Sequence, residues 1–404
     1  MKKTLLVFLL VLASLLAFVS LNDNWTNIIH PNTGSEKEIP EENPIEGEIE
    51  EEKTTSATIL AVGDVMFHMS QIKAAYQSDT KTYDFTDVFK YVRGHIESAD
   101  LAIANFETVV YGDEKGLSGY PMFNSPVETI AALKNTGFDI LNTNNNHALD
   151  QGKQGIINTI DNIESYGMKH IGTYKSKEDP HILIEEVNGI KIAFLSYCYG
   201  YNGLEGLLTE EEKSYMVSEI NEEKIKDEIL EAKSMGADLI SIIIHWGNEY
   251  QRTPSEYQLE LGKKMVEWGA NIVLGSHPHV IQKSEIIEYE GKNNFIIYSM
   301  GNYLSNQRKA TMGNKYAEDG IMVKIHVEKD LNSGSTRIIG IDYLPTWVRK
   351  YEKNNSVKFE IIPIKDFMDN DELFSVLDSI EKNRIIESYE STMELMTEYS
   401  HNLQ

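Results

Sequence analysis

Two kinds of residue are scarce in this sequence, cysteine and the basic residues, and both shortages exclude functions. Cys198 is the single cysteine among 404 residues, so the chain forms neither an intrachain disulfide nor a cysteine-based zinc site. It lies in an apolar-aromatic run, which predicts a buried structural thiol. Lysine and arginine number 37 against 63 aspartates and glutamates, a net charge of −26. Because nucleic-acid binding relies on cations that neutralise phosphates, we expect no nucleic-acid partner.

Long apolar runs are also scarce, with one exception at the start of the sequence. Lys2 and Lys3 precede an uncharged run over residues 4–21 that is rich in Leu, Val, Phe and Ala. This layout is typical of a signal peptide or signal anchor, which we assign to residues 1–22. The run is as long as a short membrane span and lacks a clear cleavage site, which favours an uncleaved anchor; cleavage would give a secreted protein. The leading lysines predict a single-pass protein of the cell membrane whose main part is extracytoplasmic.

Residues 23–55 lack the apolar periodicity of a folded segment. They contain three prolines, and residues 35–53 hold nine glutamates and two lysines. A segment of this composition cannot bury enough apolar surface to offset its conformational entropy, so we predict a disordered acidic linker.

Residues 56–347 alternate short apolar runs with amphipathic stretches, which predicts an α/β domain with a largely parallel sheet. Predicted strands cover residues 58–62, 101–104, 140–143, 190–196, 239–244, 272–274 and 295–298, with further antiparallel strands at 321–327 and 337–343. Predicted helices cover residues 85–98, 127–136, 155–166, 222–235 and 255–268. Two turn signals, Asn188-Gly189 and the looser Glu290-Gly291, indicate hairpins, so the sheet is mixed or there are two sheets. Residues 348–404 form a predicted C-terminal extension that is partly helical, over 371–396.

Five of the predicted strands end directly in polar residues. The motifs are Gly63-Asp64, Asn105-Phe106-Glu107, Asn144-Asn145-Asn146-His147, His245-Trp246-Gly247 and His277-Pro278-His279. Ligands of open α/β sheets bind beyond the carboxyl ends of the strands, so these motifs are expected to converge. One histidine after a strand is more often structural than a ligand, and no motif is persuasive alone. Their shared position predicts a common site. His68, His170, His181 and His326 lack that position, and we interpret them as structural.

The residue types at these strand ends suit divalent metals. Imidazole and carboxylate groups without thiolates favour Mn, Zn or Fe, at one or two sites. Two such ions would clamp a phosphoryl group and generate a hydroxide nucleophile. The sequence therefore predicts a metal-dependent, hydrolase-type site.

These motifs resemble those of the CapA family, the poly-γ-glutamate capsule synthesis proteins of the calcineurin-like metallophosphatase superfamily. The resemblance covers about residues 58–305. It includes the motifs above together with Gly63-Asp64-Val65-Met66, Asn105-Phe106-Glu107-Thr108, residues 144–152, His245-Trp246-Gly247-Asn248-Glu249-Tyr250, Gly269-Ala270, Gly275-Ser276-His277-Pro278-His279 and Tyr298-Ser299-Met300-Gly301-Asn302-Tyr303.

The resemblance implies a four-layer α/β/β/α sandwich with mixed sheets. It implies that His147 is the acid beside the leaving group and that the metal ligands are Asp64, Glu107, Asn146, His245, His277 and His279. Two positions depart from the superfamily pattern. Met66 stands where its Asp-x-His opening has a second ligand, and Glu107 replaces a bridging aspartate. Methionine is a poor ligand for these metals, so one site is depleted or a residue such as His68 compensates. Glu249 and Asn302 are candidates for orienting the ligands.

Two functions remain open from the sequence. One is a metal-dependent phosphoesterase-like hydrolase or transferase in capsule poly-γ-glutamate synthesis or export, acting on a phosphoester or on the anionic polymer. The other is a non-catalytic, anchored assembly or polymer-binding subunit with a degenerate site, which Met66 favours. Both imply capsule polymer synthase or export proteins as partners.

Overall fold

The computed structural model describes residues 53–399 of the chain. The predicted anchor, residues 1–22, and all but the end of the predicted linker lie outside the described residues. Among residues 53–399, no helix is both long enough and apolar enough to cross a membrane.

The first sheet is built around β1 and combines parallel and antiparallel strands. Its strands are β1 (Thr54–Val65), β4 (Leu101–Phe106), β5 (Ile140–Asn142), β6 (Lys169–Ile171), β13 (Asn302–Leu304), β14 (Asp319–Asp330), β15 (Thr336–Lys353) and β16 (Ser356–Pro363). Their order is β16-β15-β14-β1-β4-β5-β6, and β13 also pairs with β1. Strands β1, β4, β5 and β6 run parallel, whereas β14 pairs antiparallel with β1. A separate pair is formed by β2 (Tyr76–Gln77) and β3 (Thr82–Tyr83).

The second sheet uses a continuous part of the chain. Its strands are β7 (Leu183–Val187), β8 (Ile190–Cys198), β9 (Leu239–His245), β10 (Ile272–Ser276), β11 (Ser284–Tyr289) and β12 (Lys292–Ile297), in the order β11-β12-β10-β9-β8-β7. The edge strands β7 and β11 are antiparallel to their neighbours. Both predicted hairpins are present, with positive φ at Asn188 and Gly189 and at Glu290 and Gly291. The two-sheet alternative for this mixed architecture is therefore confirmed.

Helices surround the two sheets. The α-helices are Met69–Ala75, Thr86–Phe89, Arg93–Glu97, Glu128–Thr136, Gly152–Ser165, Glu210–Met216, Glu222–Ser234, Glu256–Trp268, Lys309–Met312, Ile364–Asp369, Asp371–Ser375 and Ser379–Met393, and 3₁₀ turns lie at Asp113–Lys115, Glu205–Leu207 and Lys315–Glu318. Ser255 caps the helix Glu256–Trp268, because its side chain accepts a hydrogen bond from the Gln258 N–H. The predicted helix over 85–98 is wrong as one element. A tight turn, with Val92 N–H donating to Phe89 O, divides it and keeps Phe89, Val92 and Ile96 in the core.

The sheets pack face to face, with helices on both outer faces. Successive side chains of a strand point to opposite sides, so Ile59 and Ala61 of β1 join a core between the sheets with Phe194 and Ile243. Residues of the opposite parity, such as Leu60, pack against helices on the outer face of the first sheet. A third cluster joins the second sheet to helices Glu222–Ser234 and Glu256–Trp268. The layers are therefore α/β/β/α.

The end of the chain completes the first sheet. The boundary predicted between residues 347 and 348 lies inside β15, and β16 pairs with the second half of that strand. Beyond β16, Phe367, Leu377 and Ile385 pack around Trp347 and Ile362. Most of the predicted extension is thus part of the same folded unit.

Candidate metal centre

The predicted site residues lie at the carboxyl ends of strands from both sheets. Asp64 and Glu107 belong to neighbouring strands β1 and β4 or follow them directly, and Asn146 and His147 follow β5. His245 ends β9, and His277 and His279 follow the adjacent strand β10. The site therefore spans the two sheets where their strand ends meet, and all seven residues are buried.

Asp64 is positioned by an irregularity of β1. The register between β1 and β4 shifts between Val62 and Asp64, as in bulges that re-aim side chains at functional sites. Gly63 is required here, because a Cβ atom at this position would lie 2.1 Å from the Gly301 carbonyl oxygen. Asp64 Oδ1 accepts a hydrogen bond from Asn105 Nδ2 at 2.7 Å, and Oδ2 lies 2.9 Å from His279 Nδ1.

That contact fixes the tautomer of His279. With the Asp64 carboxylate as the acceptor, His279 donates from Nδ1, and in the neutral tautomer with this proton its Nε2 carries the lone pair. His279 Nε2 lies 3.8 Å from Glu107 Oε1. His277 and His279 both have positive φ, 97° and 56°, a conformation that non-glycine residues adopt at a cost and that is common where side chains are held for function.

His245 contacts residues of the opposite sheet. Its Nε2 lies 3.1 Å from Asn146 Oδ1 and 3.8 Å from Glu107 Oε1, while its Nδ1 lies 3.0 Å from Ser276 Oγ. Separations of this size match pairs of ligands on one cation, whose bonds are about 2.0–2.2 Å long. Burial, followed by the neighbouring His277 and His279, lowers the pKa of His245 well below its usual value, which keeps the ring neutral as a ligand must be.

Glu107 is the residue of the site whose surroundings most clearly suit a bound cation. Both of its carboxylate oxygens are buried and have no hydrogen-bond partner among the described residues. Burial, then the charge of Asp64, raises the pKa of Glu107 well above its usual value. His277 Nδ1 is likewise buried and without a partner within residues 53–399, and burial lowers the pKa of His277 to about 3. A buried carboxylate and a neutral imidazole, each with atoms that lack partners, fit a divalent metal, which would satisfy both.

His147 is held by a partner that the sequence analysis did not single out. Its Nδ1 lies 2.8 Å from Asp150 Oδ2, so it donates to this buried carboxylate, and its Nε2 has no hydrogen-bond partner within residues 53–399. Burial is the largest influence on Asp150 and raises its pKa, while the bond from His147 opposes that rise. The i, i+3 spacing of His147 and Asp150 was the signal that could have identified the pair.

The sequence analysis also did not identify a chain of side-chain hydrogen bonds behind Asp64, which we call the polar relay. Asn105 accepts from Asn142 Nδ2 at 2.8 Å, and Asn142 Oδ1 accepts from Ser196 Oγ at 2.6 Å. This relay fixes the amide of Asn105 so that its Nδ2 faces Asp64. Asn302, which the sequence suggested as a residue that orients the metal ligands, donates instead to Gln307 and to the Ala317 carbonyl.

A cavity of about 370 Å³ opens beside the site. Its lining includes Met66, His68, His147, Glu249 and His279, and no lysine or arginine. His68 thus lies near the site despite its interpretation as structural, with Nε2 at 3.2 Å from Ser305 Oγ. Burial lowers the pKa of His68 to about 4, helped by His279 and His147. Met66 is buried, so its thioether is the group that position 66 presents.

His170, His181 and His326, the other three histidines interpreted as structural from the sequence, lie elsewhere. His326 lies opposite Thr58 and contacts Asp342, His181 stacks on Tyr174, and His170 in β6 is paired with Glu164. None belongs to the groups of candidate ligands around Asp64 and His277.

The sequence model of the family "Bacterial capsule synthesis protein PGA_cap" matches residues 58–307, which include every residue of this site. The chain belongs to this family. Its relatives include the capsule biosynthesis protein CapA of Bacillus anthracis, 30% identical over 282 residues, or 67% of this chain and 64% of that protein. The chain therefore spans less than two thirds of that relative. The PGA biosynthesis protein CapA of Bacillus subtilis is 30% identical over 298 residues, 72% of this chain and 73% of that protein.

Solved structures with some likeness include a phosphatase from Mycoplasma pneumoniae, with a TM-score of 0.42 and 15% identity over 72% of this chain and 94% of that one. The sulfate thiohydrolase SoxB of Thermus thermophilus gives a TM-score of 0.37 and 11% identity over 76% of this chain and 46% of that one.

Proposed function

We propose that this capsule synthesis protein is a metal-dependent, phosphoesterase-like hydrolase or transferase that acts in the synthesis or export of capsular poly-γ-glutamate. Membership of the family and the names of the two Bacillus relatives support the biological setting. The substrate is a phosphoester or the growing anionic polymer.

The observation that carries the proposed chemistry is the isolated carboxylate of Glu107. It lies between the Nε2 atoms of His245 and His279, 3.8 Å from each, and neither oxygen has a hydrogen-bond partner in the described part of the chain. A buried charge in this state is costly unless a cation compensates it. A structural role alone gives no reason to retain a carboxylate here.

Two sets of residues share Glu107 and would hold one or two ions of Mn, Zn or Fe. Asp64, Glu107 and His279 have one donor atom each within 4.8 Å of one another. Asn146, His245 and His277 make up the second set, in which His245 Nε2 lies 3.1 Å from Asn146 Oδ1 and the ring centroids of His245 and His277 are 4.8 Å apart. A metal bound there would polarise a phosphoryl oxygen and lower the pKa of bound water.

His147 is suited to move the proton of the reaction. Asp150 accepts from Nδ1 and holds the ring orientation, so Nε2 is the atom that exchanges a proton with a substrate in the cavity. We assign to His147 the role of general acid toward the leaving group. The rings of Phe123 and Tyr120 flank it, with centroids 4.8 Å and 6.2 Å away, and limit the access of water.

The proposed location is the outer face of the cell membrane. Residues 1–22 would anchor the chain and residues 23–55 would link the folded domain to the membrane, where polymer synthase or export proteins are the expected partners. The strong negative charge of the chain disfavours a nucleic-acid partner.

A second function is favoured by one observation. Met66 is buried at the cavity and offers only a soft thioether, so the donor set around Asp64 is short of a ligand suited to these metals. The alternative is a non-catalytic, anchored subunit that assembles the polymer machinery or binds the polymer.

One experiment separates the two functions. We expect the purified full chain to retain near-stoichiometric transition metal by mass spectrometry, and His245→Ala and Asp64→Ala to lose most of it, because each removes a ligand from the buried set. A strain carrying His245→Ala should then make no capsule polymer although the protein is present. Normal polymer production in that strain would support the assembly role, and a folded wild-type chain without metal would refute the proposed chemistry.

A further inference from the structure

The group of candidate metal-coordinating residues around Asp64 has too few donor atoms to complete the coordination of a metal ion. Asp64, Glu107 and His279 supply three donor atoms, whereas protein-bound transition metals and Mg²⁺ take four to six. Met66 faces the same cavity but its thioether is a weak ligand for metals that bind carboxylate and imidazole. A further oxygen or nitrogen donor is therefore needed at this side of the site.

Glu249 is placed to provide it. One of its carboxylate oxygens lies within 4.8 Å of a ring nitrogen of His277 and of His279, and these two nitrogens are equally close to each other. Glu249 is the one carboxylate in the lining of the 370 Å³ cavity, which it shares with Met66. It is exposed at the mouth of the site, so its side chain can turn toward a cation without disturbing the core.

The backbone holds Glu249 in this position. The next residue, Tyr250, donates its N–H to Pro278 O at 2.7 Å, between the two histidines. At the start of the same loop, Trp246 N–H donates to Ser276 O at 3.1 Å. The loop that carries Glu249 is therefore tied at two points to the loop that carries His277 and His279.

The partner-free Nδ1 of His277 is independent evidence that this side of the site takes a ligand. His277 is 4% exposed, and this nitrogen has no hydrogen-bond partner within residues 53–399. The lining of the cavity contains no lysine or arginine that would pair with Glu249. A carboxylate beside neutral imidazoles, without a cationic side chain, is an arrangement that a metal ion completes.

We propose that Glu249 is a metal ligand that fills the coordination position left open by Met66. His279 belongs both to the group with Asp64 and Glu107 and to the group with Glu249 and His277, so Glu249 would complete the coordination of an ion held at His279. Oxygen-rich donor sets favour harder ions, so this position should prefer Mn²⁺ to Zn²⁺. The inference rests on the proposed metal-dependent function and adds to it the ligand and the preferred ion.

The test is titration of the metal-free full chain in detergent with MnCl₂ and, separately, ZnCl₂, followed by calorimetry. Glu249→Gln should weaken Mn²⁺ binding more than about 100-fold, beyond the loss of about 10–100-fold caused by removing a residue that only supports a ligand. Glu260→Gln, an exposed glutamate on the following helix and outside the cavity, is the matched control and should bind like wild type.

A second variant tests whether positions 66 and 249 serve the same ion. Combining Met66→His with Glu249→Gln should restore metal binding and shift the preference toward Zn²⁺, because an imidazole replaces a carboxylate. Wild-type affinity in Glu249→Gln, or no recovery in the folded double variant, would overturn the assignment of Glu249 while leaving the metal site intact. If the folded wild-type chain binds neither ion, the proposed function fails as well.

Discussion

Buried charges are compensated in opposite ways in two regions of this molecule. In the C-terminal ion cluster, formed by Arg308, Glu318, Asp319 and Arg384, every carboxylate meets an arginine. Arg308 Nη2 lies 3.3 Å from Glu318, and Arg384 bonds Asp319 and lies 3.7 Å from Glu318. At the candidate metal centre neither Asp64 nor Glu107 is paired with a lysine or arginine of residues 53–399.

The difference indicates which of the two clusters relies on the protein's own cationic side chains and which does not. A protein supplies its own cations where the charges serve only the fold, as in the C-terminal cluster, where Trp347 also donates to Glu318 at 3.1 Å. At Glu107, where arginine is absent and both carboxylate oxygens lack a partner within residues 53–399, a bound metal ion is the compensation that we propose. Burial raises the pKa in both regions, of Asp319 to about 6 and of Glu107 well above its usual value, but only Asp319 has an arginine that opposes the rise.

The largest effect is expected from breaking the self-compensated cluster. Arg384→Met should lower the free energy of unfolding by about 3–5 kcal/mol, because it leaves Asp319 buried and unpaired. Urea denaturation measures this. Arg337→Met, which removes an exposed pair with Glu328, is the control and should change stability by less than about 1 kcal/mol. Equal effects of the two changes would contradict the compensating role of Arg384.

His147 and Asp150 form a hydrogen-bonded pair at the metal centre that includes no proposed metal ligand, and breaking it should affect catalysis. Asp150→Asn should lower kcat for a phosphoester about 100-fold with metal content unchanged, because the amide no longer holds His147 in its proton-donating state. Steady-state kinetics over a range of pH, with metal analysis, measure this. Asp161→Asn, an exposed aspartate on the following helix, should have no effect. Loss of metal in Asp150→Asn would point to a structural role instead.

The smallest predicted effect is an increase in stability rather than a loss. In the metal-free protein, Glu107→Gln should raise the free energy of unfolding by about 1–2 kcal/mol at neutral pH, because a neutral amide is cheaper to bury than a carboxylate without partners. Since the pKa of Glu107 is raised on folding, its cost to the wild type grows above the ordinary glutamate pKa. The gain should therefore shrink as the pH falls toward 4.5. Urea denaturation in EDTA at several pH values tests this, and a destabilised metal-free variant would refute it.

Much of the fold was predictable because its signals are local. Runs such as residues 190–196 have a length and composition typical of strands, Asn188-Gly189 gives a two-residue hairpin, and Ser255 with Gln258 marks the start of a helix. The split of the predicted helix near Val92 was not predictable. The split allows Phe89 and Ile96 to pack into the same core, and the local sequence pattern does not indicate this tertiary contact.

The set of candidate ligands was predictable for a different reason. Parallel strands present their carboxyl ends at one edge, so a polar motif after each strand must converge with the others, whatever the distance in sequence. The sequence could not show which side chains of the site contact each other. The bond of Asp150 to His147, the relay through Asn142 and Ser196, and the approach of Glu249 to His277 depend on side-chain directions that only the packed loops define.

The pairing of β1 with β14 has a consequence for where this domain can be cut. The family match ends at residue 307, yet β1 is hydrogen-bonded over most of its length to Asp319–Asp330. A chain ending at 307 would leave β1 as an open strand edge at the centre of the sheet, a template for pairing with another chain. The shortest piece that keeps this edge closed therefore extends past the matched segment through β14, so the segment that carries the candidate site residues is smaller than the one that folds.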